Sequence, residues 1–235
     1  MGLLYFYIDN KEAELFGKPK DPNKPYLLGA VGTNRAPFFE LNEQYKDAGT
    51  KKRIETINEL EKLILQINLG DIFLVFISST VGEVWEHGEI IVQEWLSQGI
   101  IKRHGKKRYQ YFGSYNQVLK PIFTLTNDKM ITLAAYSATL IELKNKIDIR
   151  ISKFEQFFQK RVTEYGFVID NLPFNTDDSN QMWEHKKMLV KEIDEKSDSG
   201  VTFKIWSNPD KAKDTPRMLL TDWLVGIKYN TLPKS

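Results

Sequence analysis

Cysteine is absent from the 235 residues, and histidine occurs three times. Without thiols there is no disulfide framework and no thiolate zinc site, and three scattered imidazoles do not make a histidine-rich metal centre. Any bound cation would have to rest on carboxylate oxygen. A dominant charge is also missing: 33 Lys and Arg against 31 Asp and Glu leave a net charge of +2. Affinity for a polyanion must therefore come from local clustering rather than from the field of the whole molecule. No apolar run approaches the roughly 18 residues of a membrane span, and Met1-Gly2-Leu3-Leu4 lacks a basic segment ahead of a hydrophobic one. The expectation is a cytoplasmic chain with no membrane partner. What the chain does have is 41% hydrophobic residues, with 14 Phe, 10 Tyr and 5 Trp, enough for one domain over residues 1–235.

The first such residues set the pattern. Leu3-Leu4-Tyr5-Phe6-Tyr7-Ile8 is too short to cross a membrane and rich in strand formers, so it reads as a strand buried on both faces. It stops at Asp9, which either opens a turn with Asn10 or is delivered to the C-terminal end of a strand, where open α/β sheets build their sites. A loop punctuated by Gly17, Pro19, Pro22 and Pro25 leads to a second strand, Tyr26 to Gly32. With no helix between them, the two runs predict an antiparallel pair. Thr50 caps a predicted helix with Ile54, Ile57, Leu60, Ile64 and Ile67 at helical spacing, ended by Gly70. A third strand, Ile72 to Ile77, follows.

The middle of the chain carries two charge patterns. A predicted helix from Val81 to Leu96 holds Glu83, Glu86, Glu89 and Glu94, ordinarily a solvated acidic face, with Trp85, Ile90, Ile91 and Trp95 as its apolar set. Next, Lys102, Arg103, Lys106, Lys107 and Arg108 surround Gly105, and Tyr109, Tyr111, Phe112 and Tyr115 follow directly. Such a segment is either a plain basic loop or a track for a phosphate backbone whose bases stack on the tyrosines. A strand from Val118 to Thr124 closes the region, which is expected to be an insertion at about residues 81–127.

Beyond Asp128 a helical stripe runs through Leu133, Tyr136, Leu140, Leu143, Ile147, Ile151, Phe154 and Phe158. Phe167-Val168-Ile169-Asp170 is a short strand that again ends in aspartate. After a modest helix near Trp183 to Ile193 come a strand, Val201 to Trp206, and a last helix, Pro216 to Lys228. That helix embeds Asp222 among Met218, Leu219, Leu220, Leu224, Val225 and Ile227. A carboxylate in such a place needs a partner, because burying it uncompensated costs several kcal/mol or shifts its pKa.

The order of elements predicts an α/β, ribonuclease H-like fold: a five-stranded mixed sheet, its first three strands antiparallel, flanked by helices. In that fold, acids on the first strand, the fourth strand and the last helix converge on divalent metal. The chain also resembles a bacterial and phage domain-of-unknown-function family of this fold, whose members open with a strand running into Asp-Glu-Ser-Gly and close with Ser-Lys and then Leu-Gln-x-Ala-Asp-Leu. Here Tyr5-Phe6-Tyr7-Ile8-Asp9-Asn10-Lys11, Phe167-Val168-Ile169-Asp170, Ser207-Asn208 and Leu219-Leu220-Thr221-Asp222-Trp223-Leu224 stand at those motifs. The resemblance implies a nuclease that hydrolyses phosphodiesters with Mg²⁺ or Mn²⁺ held by Asp9, Asp170 and Asp222, assisted by Asn10 and Ser207. Lys102, Arg103, Lys106, Lys107, Arg108, Tyr109 and Tyr111 would meet nucleic acid. Two departures stand out: Asn10 replaces an acid, and Leu220 replaces a glutamine. Glu40, Glu43 or Glu55 could supply a fourth acid.

Two other readings compete. One keeps the fold, with a weakened metal site, as a nucleic-acid- or protein-binding module; a protein partner or a homodimer stays open on any reading. The other takes Ile72 to Ser79, Trp85-x-x-x-Glu89 and Val118 to Phe123 as the strand, helix and next strand of a Toll/interleukin-1-receptor-like NAD hydrolase.

Overall fold

The computed structural model describes residues 4–11, 18–33, 72–115, 118–158, 164–169, 202–207 and 216–232. The predicted helices at 50–67 and 183–193 lie outside them. The described chain is a mixed α/β protein with a mixed sheet and flanking helices.

The apolar runs become strands: β1 is Leu4–Lys11, β2 Pro25–Thr33 and β3 Ile72–Thr80. Helix α1, Val81–Ser97, follows β3 without a break. The β4 strand (Ile101–Arg103), β5 (Arg108–Tyr115) and β6 (Val118–Thr126) lead into helix α2, Asn127–Phe158. Strands β7 (Glu164–Ile169) and β8 (Thr202–Ser207) and helix α3 (Pro216–Asn230) complete the described chain.

Among the described residues the strands form two sheets, one in the order β3-β2-β1-β7-β8 and one in the order β4-β5-β6. In the larger sheet β2 is antiparallel to both β1 and β3, while β7 is parallel to β1 and β8 parallel to β7. Four strands thus run one way, and their C-terminal ends share one edge with the start of β2. Asp9 pairs with Gly29 near that edge.

Alternation assigns the faces. Phe6, Ile8, Tyr26, Leu28, Ala30, Val75, Ile77, Tyr165, Phe167 and Ile169 join the core built on α1 and α2. The opposite face of β1 and β2 is covered by α3. There Gly29 lets the helix approach: a Cβ on it would overlap Val225 Cγ2 and stand 3.0 Å from two ring carbons of Phe76.

Both α1 and α2 extend past the larger sheet. Helix α1 starts at the edge near Asp9, for Thr80 pairs with Pro25, and is fixed there by a capping box. The Glu83 N–H donates to Thr80 Oγ1 (3.2 Å), and Glu83 Oε2 accepts from Thr80 N–H (3.1 Å) and Ser79 Oγ (2.6 Å). These bonds, that from Ser79 foremost, hold the Glu83 carboxyl below its ordinary pKa. Helix α2 returns along the sheet: Thr139 lies beside Tyr26, and Arg150 Nη1 donates to the Leu74 carbonyl at 2.8 Å, near the far end of β3. That bond also covers part of an edge strand. At 1.5 Å per residue, Asn127 stands roughly 18 Å beyond Thr139. The overhanging turns, Met130 to Ser137, are buried on every side. They are enclosed by α1 and the small sheet, and Gly88 of α1 lets the two helices approach: a Cβ there would meet Ile131 O at 2.6 Å and Ala135 Cβ at 2.8 Å.

Three details differ from the sequence reading. Ile90, assigned to the apolar face of α1, is 56% exposed, because the buried stripe runs through Val81, Val84, Trp85, Gly88, Val92 and Trp95 at spacings of three and four. The strand closing the middle region extends to Thr126. A cluster hidden in the sequence joins α2 to β7: Lys144 Nζ bonds Asp148 Oδ2 at 2.8 Å, and the Tyr165 hydroxyl donates to Asp148 Oδ1. Lys144 also lies 5.6 Å from the Tyr165 ring centre, so a cation with 1% side-chain exposure is matched by charge and ring.

Candidate metal and nucleic-acid site

Strand β1, apolar up to Ile8 and hydrogen-bonded on both sides, to β2 and to β7, does not stop at Asp9 but runs two residues further, to Lys11, so Asp9 lies inside the strand near its C-terminal end. It is half-buried, with Oδ2 enclosed. Its charge is felt by Tyr26 on β2. Burial pushes that phenol up to about 12; the Thr139 hydroxyl pulls the other way, and Asp9 adds a further upward push.

Helix α3 brings a second acid to the same side. Thr221, Leu224 and Val225 are its buried stripe, and Val225 packs over Gly29, the partner of Asp9. Asp222 is half-buried, three residues and about one turn before Val225, roughly 5 Å along the helix axis. Asp9 and Asp222 thus share one face of the sheet.

The third expected acid, Asp170, lies outside the described residues. Strand β7 ends at Ile169, which pairs with Ile8 on one side and Ser207 on the other. Ser207 is therefore the last residue of β8, and Asn10, paired with Leu28, belongs to β1. Glu40, Glu43 and Glu55 are likewise outside the described residues. Among the described residues no three His, Cys, Asp or Glu gather as a metal-binding group. The donor chemistry of Asp9 and Asp222 suits a hard divalent cation, which takes carboxylate oxygen.

The basic segment is a β-hairpin. Ile101, Lys102 and Arg103 pair with Tyr111, Gln110 and Tyr109, and His104 N–H donates to the Arg108 carbonyl at 2.9 Å. Gly105 sits at φ +70°, a conformation that glycine supplies without strain. Lys102, Arg103, Lys106, Lys107 and Arg108 are all exposed, with Lys102 Nζ 5.0 Å from the Phe112 ring centre.

The tyrosines do not join them. Tyr109 is 6% and Tyr111 7% exposed, and Tyr111 stacks on Phe123 at 5.0 Å. Both face inward with Phe123 and Leu125, so neither can stack on a base, and that expectation is corrected. The period-two pattern of Arg108-Tyr109-Gln110-Tyr111 was the signal for a half-buried strand.

The NAD-hydrolase constellation also comes apart. The Trp85 indole N–H donates to Glu89 Oε1 at 3.2 Å, but β3 and β6 belong to different sheets. A strand, helix and next strand of one parallel unit would lie in the same sheet.

Sequence reading also missed residues that the structure gathers. Tyr26, whose phenol feels the charge of Asp9, shows in the sequence only as the start of a strand. Gln93 and Asn127 share a cleft with Glu89, yet the whole β4–β6 meander separates Asn127 from the other two, and no local spacing announces that grouping.

Comparison with known proteins gives no family. No family model and no curated protein matches the chain. Among solved structures it is similar to a chain of the PCNA:RNase HII complex from Archaeoglobus fulgidus, at 9% identity, with 97% of this chain and 73% of that chain covered and a TM-score of 0.42. A likeness so distant carries no argument about chemistry. Among the described residues no helix is long and apolar enough to cross a membrane.

Proposed function

We propose that the chain is a ribonuclease H-like, divalent-metal-dependent nuclease, with residues 81–127 as an insertion that binds nucleic acid. The observation that supports this reading is the packing of α3 on β1 and β2, with Val225, one turn after Asp222, against Gly29, the partner of Asp9. The strand order β3-β2-β1-β7-β8, with only β2 reversed, supports it.

In this reading Asp9, Asp222 and Asp170 hold Mg²⁺ or Mn²⁺, with Asn10 and Ser207 orienting them. When bound, such a cation activates water and neutralises charge on the phosphodiester. The residues themselves divide the remaining work. Asp9, half-buried with Oδ2 enclosed, supplies a carboxylate near the C-terminal end of β1. Lys102, Arg103, Lys106, Lys107 and Arg108 hold the phosphate backbone electrostatically and without sequence preference. The overhang of α1 and α2 puts this hairpin beyond the same sheet edge, so one extended strand can touch both.

Calorimetric titration with Mn²⁺ tests the reading. The native protein should show saturable binding that Asp222→Asn and Asp9→Asn each weaken at least about tenfold, loss of a charged ligand being worth more than 1.4 kcal/mol. A folded protein that binds no Mn²⁺ would refute the nuclease. Asn10, an amide where the resembling family has an acid, favours a second reading: the same fold as a nucleic-acid-binding module without cleavage.

A further inference from the structure

Between the second half of α1 and the first turns of α2 lies an open cleft of about 410 Å³, lined by Glu89, Ile90, Val92, Gln93, Asn127 and Ile131. Its size falls among those of small-ligand sites. Val92 and Ile131 are buried, at 1% and 3% exposure, and give it an apolar floor. Ile90 extends that surface outward, one of two large hydrophobic side chains markedly exposed among the described residues.

The rim is polar in a particular way. Gln93 and Asn127 offer amides that both donate and accept, and Glu89 offers a carboxylate oriented by the Trp85 indole N–H at 3.2 Å. An apolar floor with amide and carboxylate groups around it suits a flat heterocycle that carries donors and acceptors on its edge. Amides pair with adenine and carboxylates accept from exocyclic amino groups.

Its position adds the second half of a ligand. The Asn127 N–H donates to the Lys107 carbonyl at 3.0 Å, and Arg108 pairs with Thr126. The cleft therefore opens beside the cations of the hairpin tip, and along α2 it lies between that tip and the sheet edge of Asp9.

We infer that this cleft is a subsite for one unpaired nucleobase of the strand whose phosphates the hairpin holds. The inference rests on the nucleic-acid reading above and goes beyond it by replacing the buried Tyr109 and Tyr111 with a polar-rimmed pocket on the neighbouring helices. It also makes the preferred substrate single-stranded, because a paired base cannot enter.

Fluorescence anisotropy with a labelled single-stranded oligonucleotide and an abasic oligomer of the same length separates the two ideas. The native protein should bind the base-bearing strand about tenfold more tightly, the discrimination expected of one well-made base contact. Ile90→Ala combined with Gln93→Ala changes two exposed side chains and leaves the hairpin alone. That variant should lose most of the preference while binding the abasic strand as before. Equal affinity of the native protein for both strands would overturn the subsite and leave the nucleic-acid reading standing. No binding of either strand would overturn both. Displacement of the strand by a nucleoside monophosphate at matching base concentration would overturn the strand subsite in favour of a mononucleotide site.

Discussion

The packing of α3 on Gly29 makes a demanding test, because it joins the fold to the site. A methyl group on Gly29 would overlap Val225 Cγ2 and press on Phe76, so the helix must shift by roughly 1 Å to restore ordinary contact. Valine in a helix has essentially one side-chain rotamer, and Val225 is fully buried, so rotation of the side chain does not relieve the clash. Overpacking of this kind costs about 1–3 kcal/mol. Gly29→Ala should therefore lower the urea midpoint of unfolding despite the better strand propensity of alanine. Val225→Ala removes the offending methyl groups and by itself should cost about 1.5–3 kcal/mol of lost burial. Combined, the two substitutions should be less harmful than their sum by at least about 1 kcal/mol, the signature of contacting residues in a double-mutant cycle. The displacement also carries Asp222 away from Asp9, so Mn²⁺ affinity at the proposed site should fall in Gly29→Ala and recover in the double variant. Strict additivity would refute the packing of α3 over the Asp9–Gly29 pair.

Two further perturbations address other parts of the molecule. Gly88→Ala should destabilise by about 1 kcal/mol or more, since the clash with Ile131 O and Ala135 Cβ outweighs the roughly 1 kcal/mol that alanine normally gains over glycine in a helix; a more stable variant by urea unfolding would show that α1 and α2 do not meet there. Tyr26, whose pKa rises from 10.0 to about 12 on folding, keeps its phenol protonated, so its contribution is fully present below pH 10 and is lost as pH rises through about 12; two pKa units correspond to about 3 kcal/mol. Tyr26→Phe should flatten the fall in stability above pH 10, and parallel stability curves for the two proteins would rule the assignment out.

The mixed α/β class was legible because its signals are local. Six apolar residues before Asp9 leave little choice but a strand buried on both faces, and Leu133, Tyr136, Leu140, Leu143, Ile147 and Ile151 repeat at a spacing that only a helix satisfies. All six are buried. Chemical pattern and geometric pattern point to different structures at two places. Five cations beside four aromatics looked like one surface, yet alternation turns Tyr109 and Tyr111 inward while Gln110 stays outside the core. Hydrophobicity groups Ile90 with Trp85, although five residues along a helix turn the side chain well away from that stripe.

What no local pattern contained was the placement of one part against another. Met130 to Ser137 form a helical stretch buried all round, and such a helix must be enclosed by further structure. The larger sheet cannot do this, because α2 has already passed its edge there. α1 and the β4–β5–β6 sheet supply the missing walls, turning Tyr109, Tyr111, Phe123 and Leu125 inward. The position of the basic hairpin is then a consequence of core packing. Its tip is exposed throughout, so packing does not require five cations there. The demand for a wall around the overhang fixes where the hairpin stands, beyond the sheet edge at which β1 ends, and leaves the identity of its tip residues to electrostatics. Replacing Lys106, Lys107 and Arg108 with glutamate should accordingly leave the urea midpoint almost unchanged while weakening oligonucleotide binding and flattening its dependence on salt. A variant that unfolds easily would place the cations in the architecture rather than in binding.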